Sequence, residues 1–227
     1  MAEKKKVVRI TTPAGIALYP KVQKPDTKFK SEGVYSTGLV IANPKCSDLC
    51  AQLDAYAEEA FANSLADPKK VAAAKAKRKT ITKNEPYLPE LDKEGNETGN
   101  TIFKFKTNAS AEINGEVKHF KPSLYDASSP KPKEITADIN MYSGSIIKVN
   151  FSPTPYYNDA NAQAGVSCRL NGVQVLKLVK GGWTAEAFGF GAEEEGFDFA
   201  DGTPAGPAGD APAPVAEGGE PKAASDF

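Results

Sequence analysis

His119 is the only histidine among 227 residues, so any histidine-dependent triad or metal site has to be built around that one side chain. Cys46 and Cys50 are four apart and can share a face at the start of a helix. A structural zinc site takes four ligands at recognisable spacing, and only Cys168 and His119 remain to complete one. Three cysteines without an export signal read as reduced thiols rather than bridges. The acidic cluster Glu193 to Glu195, with Asp198 and Asp201, lies in a Gly-rich stretch that offers no scaffold, and reads as a solvated run. Phosphate loops of the G-x-x-x-x-G-K-[ST] type, dinucleotide fingerprints and nucleophile elbows are all missing from the sequence. The expectation is a protein that is not an enzyme and that holds neither metal nor cofactor.

Cations and flat rings do form a pattern. In Phe103-Lys104-Phe105-Lys106 a period of two puts both lysines on one face and both phenylalanines on the other. Ile147, Val149 and Phe151 likewise oppose Lys148 and Asn150, and Val166, Cys168 and Leu170 oppose Ser167, Arg169 and Asn171. Three strands thus each offer a cation on a polar face, which is what a groove tracking a phosphate backbone needs. Bases also need stacking partners. Pro153-Thr154-Pro155-Tyr156-Tyr157 is expected to be a proline-restricted loop that presents Tyr156 and Tyr157, with Tyr35, Phe120 and Tyr125 as weaker candidates. Taken singly, each of these features also suits an ordinary half-buried strand or a ring packed on the protein body.

The elements that must position these residues follow from periodicity. Gly33 to Ile41 reads as a strand stopped by Asn43-Pro44, and from Ser47 or Asp48 as N-cap the three- and four-residue spacing of Leu49, Leu53, Tyr56, Ala60 and Phe61 predicts a helix to about Leu65. Asp67-Pro68 opens a basic Ala-rich segment, Lys69 to Lys79, that is either a short exposed helix or a mobile arm. Asn84 to Asn100 reads as a turn-rich connection. Strands are expected at Ile102 to Thr107, across an Asn114-Gly115 hairpin spanning Ala111 to Phe120, at Ser145 to Phe151, and from Gly165 to Val179 with a turn or bulge at Asn171-Gly172. The fold class is therefore mainly β: a five-stranded OB-fold barrel with an inserted α-helix, with a β-sandwich as the structural alternative.

Charge divides the chain. Residues 1–183 carry 27 Lys and Arg against 19 Asp and Glu, a net +8, whereas residues 184–227 carry 1 against 10, a net −9. Aromatic residues cease after Phe199 until the final Phe227, so the last segment has little with which to build a core. Two domains are expected: a strand-rich basic body at 1–183 and a disordered, acidic, flexible tail at 184–227. No apolar run is long enough to span a bilayer and the start lacks a signal-peptide core, which leads to the expectation of a cytoplasmic protein without membrane contact.

These residues resemble a known family, the replication single-stranded DNA-binding proteins typified by that of phage T7. The resemblance rests on landmarks in order: Lys24 to Asp26 before Gly33-Val34-Tyr35, an inserted helix, Pro86-Tyr87 leading through an acidic Gly-rich turn to Thr101 to Lys106, Lys148-Val149 before Pro155-Tyr156, and a closing Asp226-Phe227. It implies an OB-fold body that binds single-stranded DNA without regard to sequence, in phage DNA replication, recombination and repair, within the host cell cytoplasm. It also implies a tail that contacts replisome proteins, a phage DNA polymerase and a helicase/primase, and that competes for the DNA groove; a homodimer stays open. By motif, Lys104, Lys106 and Tyr156 are the implied DNA contacts and Asp226 with Phe227 the partner contact. Lys148, Arg169 and Tyr157 join the DNA set from the strand pattern and the Pro-Tyr-Tyr run. The family pattern has a tryptophan shortly after the Pro-Tyr pair, where this chain has Tyr157, and this tail is richer in Ala, Pro and Gly. The competing reading is an OB-fold or β-sandwich adaptor that docks protein partners through its C-terminal tail.

Overall fold

The computed structural model describes residues 7–28, 30–179, 196–198 and 203–205. It divides into two units, Met1–Gly181 and Gly182–Phe227. In the first unit β1 (Ile10–Thr11), β2 (Gly15–Asp26) and β3 (Val34–Ala42) lead into helices α1 (Asn43–Leu65) and α2 (Pro68–Ala76). Then follow β4 (Thr82–Lys83), β5 (Tyr87–Leu91), β6 (Glu97–Asn108), the hairpin β7 (Ser110–Ile113) and β8 (Glu116–His119), β9 (Ser123–Tyr125), β10 (Ile146–Asn158) and β11 (Gln163–Lys177). The body is mainly β with two helices: the inserted helix expected and, of the two readings left open for the basic Ala-rich segment, the helical one. In the second unit β12 (Gly196–Asp198) and β13 (Thr203–Ala205) form an antiparallel ladder. Apart from that ladder, the tail expected at 184–227, with Asp226 and Phe227, lies outside the described residues.

Five strands pair in a ring. β2 runs antiparallel to β3 and β3 to β6; β6 runs parallel to β11 through Phe105 and Cys168; β11 runs antiparallel to β10; and β10 returns to β2 through Ile147 opposite Gly15. The alternation read from the sequence sorts the two faces. Phe103, Phe105, Ile147, Val149, Phe151, Val166, Cys168 and Leu170 are buried inside the ring, and the rings of Phe105 and Phe151 pack 5.0 Å apart. Truncating one of these phenylalanines to alanine would cost about 3–5 kcal/mol. Midway along β11 the register slips, with Phe151 opposite Leu170 but Asn150 opposite Gly172. Asn171 is therefore a bulge and not a turn. The extra residue changes the parity, so that Leu170 before it and Val173 after it both face inward.

Helix α1 begins earlier than its spacing suggests. Pro44 sits in its first turn, where the missing N–H costs nothing, so the Asn43-Pro44 pair that ends β3 also starts the helix. Cys46, Leu49, Leu53, Ala57, Ala60 and Ser64 form its buried stripe, facing β10 and β11, while Tyr56 and Phe61 flank it. The basic segment after Asp67 is helical, because the Asp67 carboxylate accepts from the Lys69 N–H and Pro68 opens the turn. Ala74 of α2 joins Ile81, Ala162 and Ala164 in a small second core with Phe61, Val71 and Tyr157 packed against it. The connection at 84–100 is more ordered than expected: β5 pairs with the outer edge of β6 through Tyr87, Leu88 and Pro89. At the predicted hairpin, Asn114 and Gly115 both take positive φ, 55° and 81°, as a type I′ turn requires. Among the described residues no helix is long and apolar enough to cross a membrane.

Packing against β3 leaves no room at Gly15, where a Cβ would fall 2.6 Å from the Val40 carbonyl oxygen and 2.8 Å from side-chain atoms of Leu39 and Ile41. Gly15→Ala is expected to lower unfolding free energy by about 1–3 kcal/mol in a urea titration, as overpacking does elsewhere. An unchanged midpoint would show that β2 and β3 are not tightly packed at Gly15.

Candidate nucleic-acid interface

The β6–β11 and β10–β11 pairings decide which outward residues meet. Lys106 is directly opposite Arg169, Ser152 opposite Arg169 on the other side, and Tyr156 opposite Gly165. Lys104, Lys106 and Arg169 are exposed and Tyr156 is half-buried. Lys104, Lys106, Tyr156 and Ser167 line a depression of about 680 Å³ whose far wall is Tyr87 and Leu88 of β5. Lys106, Tyr156 and Ser167 also line a neighbouring depression of about 340 Å³, together with Arg169, Phe120 and the Ala111 and Ile113 side of the β7–β8 hairpin. Shared walls make the two a single groove across β6, β11 and β10, bounded by β5 on one side and the hairpin on the other.

Its rings are held in place. Asn84 donates through Nδ2 to the Tyr156 hydroxyl at 2.7 Å, and Gly165 makes room for both: a Cβ there would come within 3.0 Å of the Asn84 carbonyl oxygen and 3.3 Å of the Tyr156 hydroxyl. Phe120 lies under the Arg169 guanidinium, 5.0 Å from ring centroid to Cζ, which orients the cation without neutralising it. Tyr87 donates to Asp54 of α1 at 2.9 Å, which ties β5 to the helix. Among the described residues Lys104, Lys106, Lys148 and Arg169 form no ion pair, while Glu85 in the groove wall is engaged by Lys83 at 3.6 Å. The surface therefore sets exposed cations beside an anchored ring, a combination whose chemistry suits a polyanion that carries flat groups.

Two expected members stand elsewhere. The 153–157 segment is not a loop but the outer half of β10, and the pleat of a strand turns neighbouring side chains to opposite faces. Tyr157 accordingly packs against the small second core of Ala74, Ile81, Ala162 and Ala164, with its hydroxyl enclosed and without a hydrogen-bond partner among the described residues and the Lys70 ammonium 5.3 Å from its ring centroid. Lys148 sits near the other end of β10, in a separate depression with Arg9 and Lys131. Of the weaker stacking candidates, Tyr35 is a core residue only 7% exposed, Phe120 is in the groove, and Tyr125 is 38% exposed beside Lys148. Sequence reading missed Asn84 and Arg9. Asn84 reaches Tyr156 because β4 runs parallel to β11, a pairing between segments about eighty residues apart with no local signature.

Residues 14–178 match the family described as single-stranded DNA-binding protein, bacteriophage T7. The chain belongs to that family. Its relatives include the single-stranded DNA-binding proteins of Enterobacteria phage T3, 30% identical over 194 residues covering 79% of this chain and 77% of the relative, and of Escherichia phage T7, 28% identical over 193 residues covering 79% of each. The crystal structure of the phage T7 protein superposes with a TM-score of 0.62 at 27% identity, over 85% of this chain and 99% of that one. The phage Enc34 single-stranded DNA-binding protein, solved in complex with single-stranded DNA, shares the fold at 13% identity, with a TM-score of 0.52 over 76% of this chain and 88% of that one.

Cys46, Cys50 and Cys168 are free, with Cys50 Sγ 3.9 Å from Cys46 Sγ. Burial pushes Cys168, on the groove floor, up to about 12 from 9.0, and burial followed by the Cys46 neighbour does the same for Cys50. Both thiols stay protonated in the folded protein where the unfolded chain ionises. A raised folded value means that their contribution to stability is complete below about pH 9 and is lost as pH climbs towards 12. Urea midpoints are expected to fall between about pH 8 and about pH 10.5, and Cys50→Ala/Cys168→Ala to flatten that fall. An equally steep fall in the double variant would assign it to other groups.

Proposed function

We propose that this protein is a sequence-independent single-stranded DNA-binding protein that coats unwound DNA during phage DNA replication, recombination and repair in the host cytoplasm. The observation that carries the proposal is the convergence of Lys104, Lys106 and Arg169, unpaired with carboxylates among the described residues, around the anchored ring of Tyr156. The cations attract the backbone and release counterions, and the ring stacks any base because every base has a π-face. The ring of β2, β3, β6, β11 and β10, closed by one parallel pairing, is read as a five-stranded OB-fold barrel, a scaffold that commonly binds oligonucleotides. Family membership and the solved DNA complex of the Enc34 protein support the same reading.

The domain roles complete the proposal. The body at 1–183 holds DNA. The acidic tail at 184–227, with a net charge of −9, docks a phage DNA polymerase and helicase/primase through Asp226 and Phe227 and competes for the groove when DNA is absent. A flexible tether keeps such a tail at roughly millimolar effective concentration, enough to suppress weak contacts and to yield to long single strands.

Titration with unlabelled oligonucleotides of several sequences tests the groove. Lys104→Ala/Lys106→Ala is expected to weaken binding roughly tenfold for all of them and to shallow the dependence of log affinity on log salt by about 0.7 per lost phosphate contact. Tyr156→Ala should cost about 1–3 kcal/mol of binding. Full affinity in both variants would remove the groove from this face. Deleting residues 200–227 is expected to tighten binding at low salt and to make little difference at high salt; weaker binding after deletion would rule out competition.

A further inference from the structure

The groove does not end at Arg169. Thr154 and Arg169 also border a third depression of about 700 Å³, lined by Val8, Arg9 and Tyr56, and Arg9 with Asn171 then border a fourth of about 680 Å³. That fourth depression brings together three cations from unrelated parts of the chain. Arg9 comes from the segment before β1, Lys148 from β10, and Lys131 from the loop that follows β9. Arg9 and Lys131 are exposed, and none of the three makes an ion pair among the described residues. Among the described residues no carboxylate lines the depression. Asp126, on the same loop as Lys131, spends its carboxylate on Ser128 and the Lys133 N–H, and the Ser128 hydroxyl holds it below its ordinary value.

Beside these cations stands the exposed ring of Tyr125. Its strand β9 is laid against β11 at Gly172, where a Cβ would meet the Ser123 carbonyl oxygen at 2.9 Å. The lining amides are already committed within the protein. Asn171 Nδ2 donates to Asn150 and Ser152, Asn150 Nδ2 to Thr11, and Gln174 Nε2 to the Asp126 carbonyl. The Asn171 amide is fully engaged and Asn150 and Gln174 each keep one N–H bonded within the protein, so the depression offers chiefly charge and a ring, which is the chemistry of a polyanion site that reads base edges little.

We propose that single-stranded DNA continues from the Lys104–Tyr156 groove past Arg169 into a second segment formed by Arg9, Lys131, Lys148 and Tyr125. The inference rests on the groove carrying DNA. Lys148 and Tyr156 are eight residues apart on β10, about 26 Å at strand rise, so the two segments engage one strand only when it is long enough to reach both. Affinity then depends on length through Arg9, Lys131 and Lys148, but not through Lys104 and Lys106.

The test measures binding of the full chain to oligothymidylates of about 4 and about 16 nucleotides, the range covered by such folds, across a salt series. Arg9→Ala/Lys131→Ala/Lys148→Ala is expected to bind the long strand roughly tenfold more weakly, with a salt slope lower by about 2, and the short strand as the wild type does. Lys131→Glu, a single change on an exposed loop, should shift the long-strand affinity in the same direction, and thermal melting monitors folding of both variants. Unchanged long-strand affinity, or equal loss at both lengths, overturns the proposal. A peptide of residues 200–227 that binds the wild type but not the triple variant, with long-strand affinity intact, would assign the depression to the tail and overturn it as well. Lys104→Ala/Lys106→Ala in the same assay separates the two readings. Unchanged affinity at both lengths sinks the groove itself, whereas loss at both beside a silent triple variant sinks only the second segment.

Discussion

One short parallel contact organises the body. Phe105 of β6 meets Cys168 of β11, and Lys106 meets Arg169. Every other link of the five-strand ring is antiparallel, and this one joins segments more than sixty residues apart in sequence. On its inner side it lets Phe105 pack on Phe151, which fills the ring with aromatic surface. On its outer side it sets a lysine next to an arginine with, among the described residues, no carboxylate between them. Such like-charge proximity is tolerable because both side chains are long and exposed to water, where two charges at a few ångströms interact by only about 1 kcal/mol. The same closure that buries the core therefore creates the surface cations.

The helices serve that surface indirectly. The α1 stripe is large at Leu49 and Leu53 and small at Ala57, Ala60 and Ser64, which leaves space beside its last turns for the second core around Ile81, Ala162 and Ala164. Tyr157 completes this core, and its burial explains why one of two adjacent tyrosines is a packing residue and the other faces the groove. Gly165, across from Tyr156, keeps β4 close enough for Asn84 to hold the tyrosine hydroxyl. Packing on one face of β10 thereby restricts a ring on the other.

The charge division has a physical consequence beyond solubility. A net charge of −1 for the whole chain conceals +8 and −9 in its two parts. Exposed cations cost little in water and gain when a polyanion releases its counterions. That balance makes affinity for an extended anion a property of how many such cations one strand can reach. Continuity between depressions along β10 and β11 thus matters more than the depth of any one of them.

Much of this was legible in the sequence because it depends on local periodicity. The two-residue alternation at 103–106, 147–151 and 166–170 assigned inner and outer faces correctly, since a pleat allows nothing else. The Asn114-Gly115 turn and the Asp67 cap are likewise local chemistry. What sequence reading misjudged were positions whose fate depends on distant partners. The 153–157 segment carries two prolines and looks like a loop, but β11 pairs along its whole length and extends it into a strand. Tyr35, Tyr156 and Tyr157 are the same residue type in similar β-rich surroundings, and only the tertiary structure made one core, one groove wall and one a packing residue. Lys148 stood out by its strand pattern, but Arg9 and Lys131 have no local signature and join it only when β1 pairs with β10 and β9 with β11. Convergence of that kind is decided by the closing of the ring, because local spacing sets where a side chain points and only long-range pairing sets what it meets.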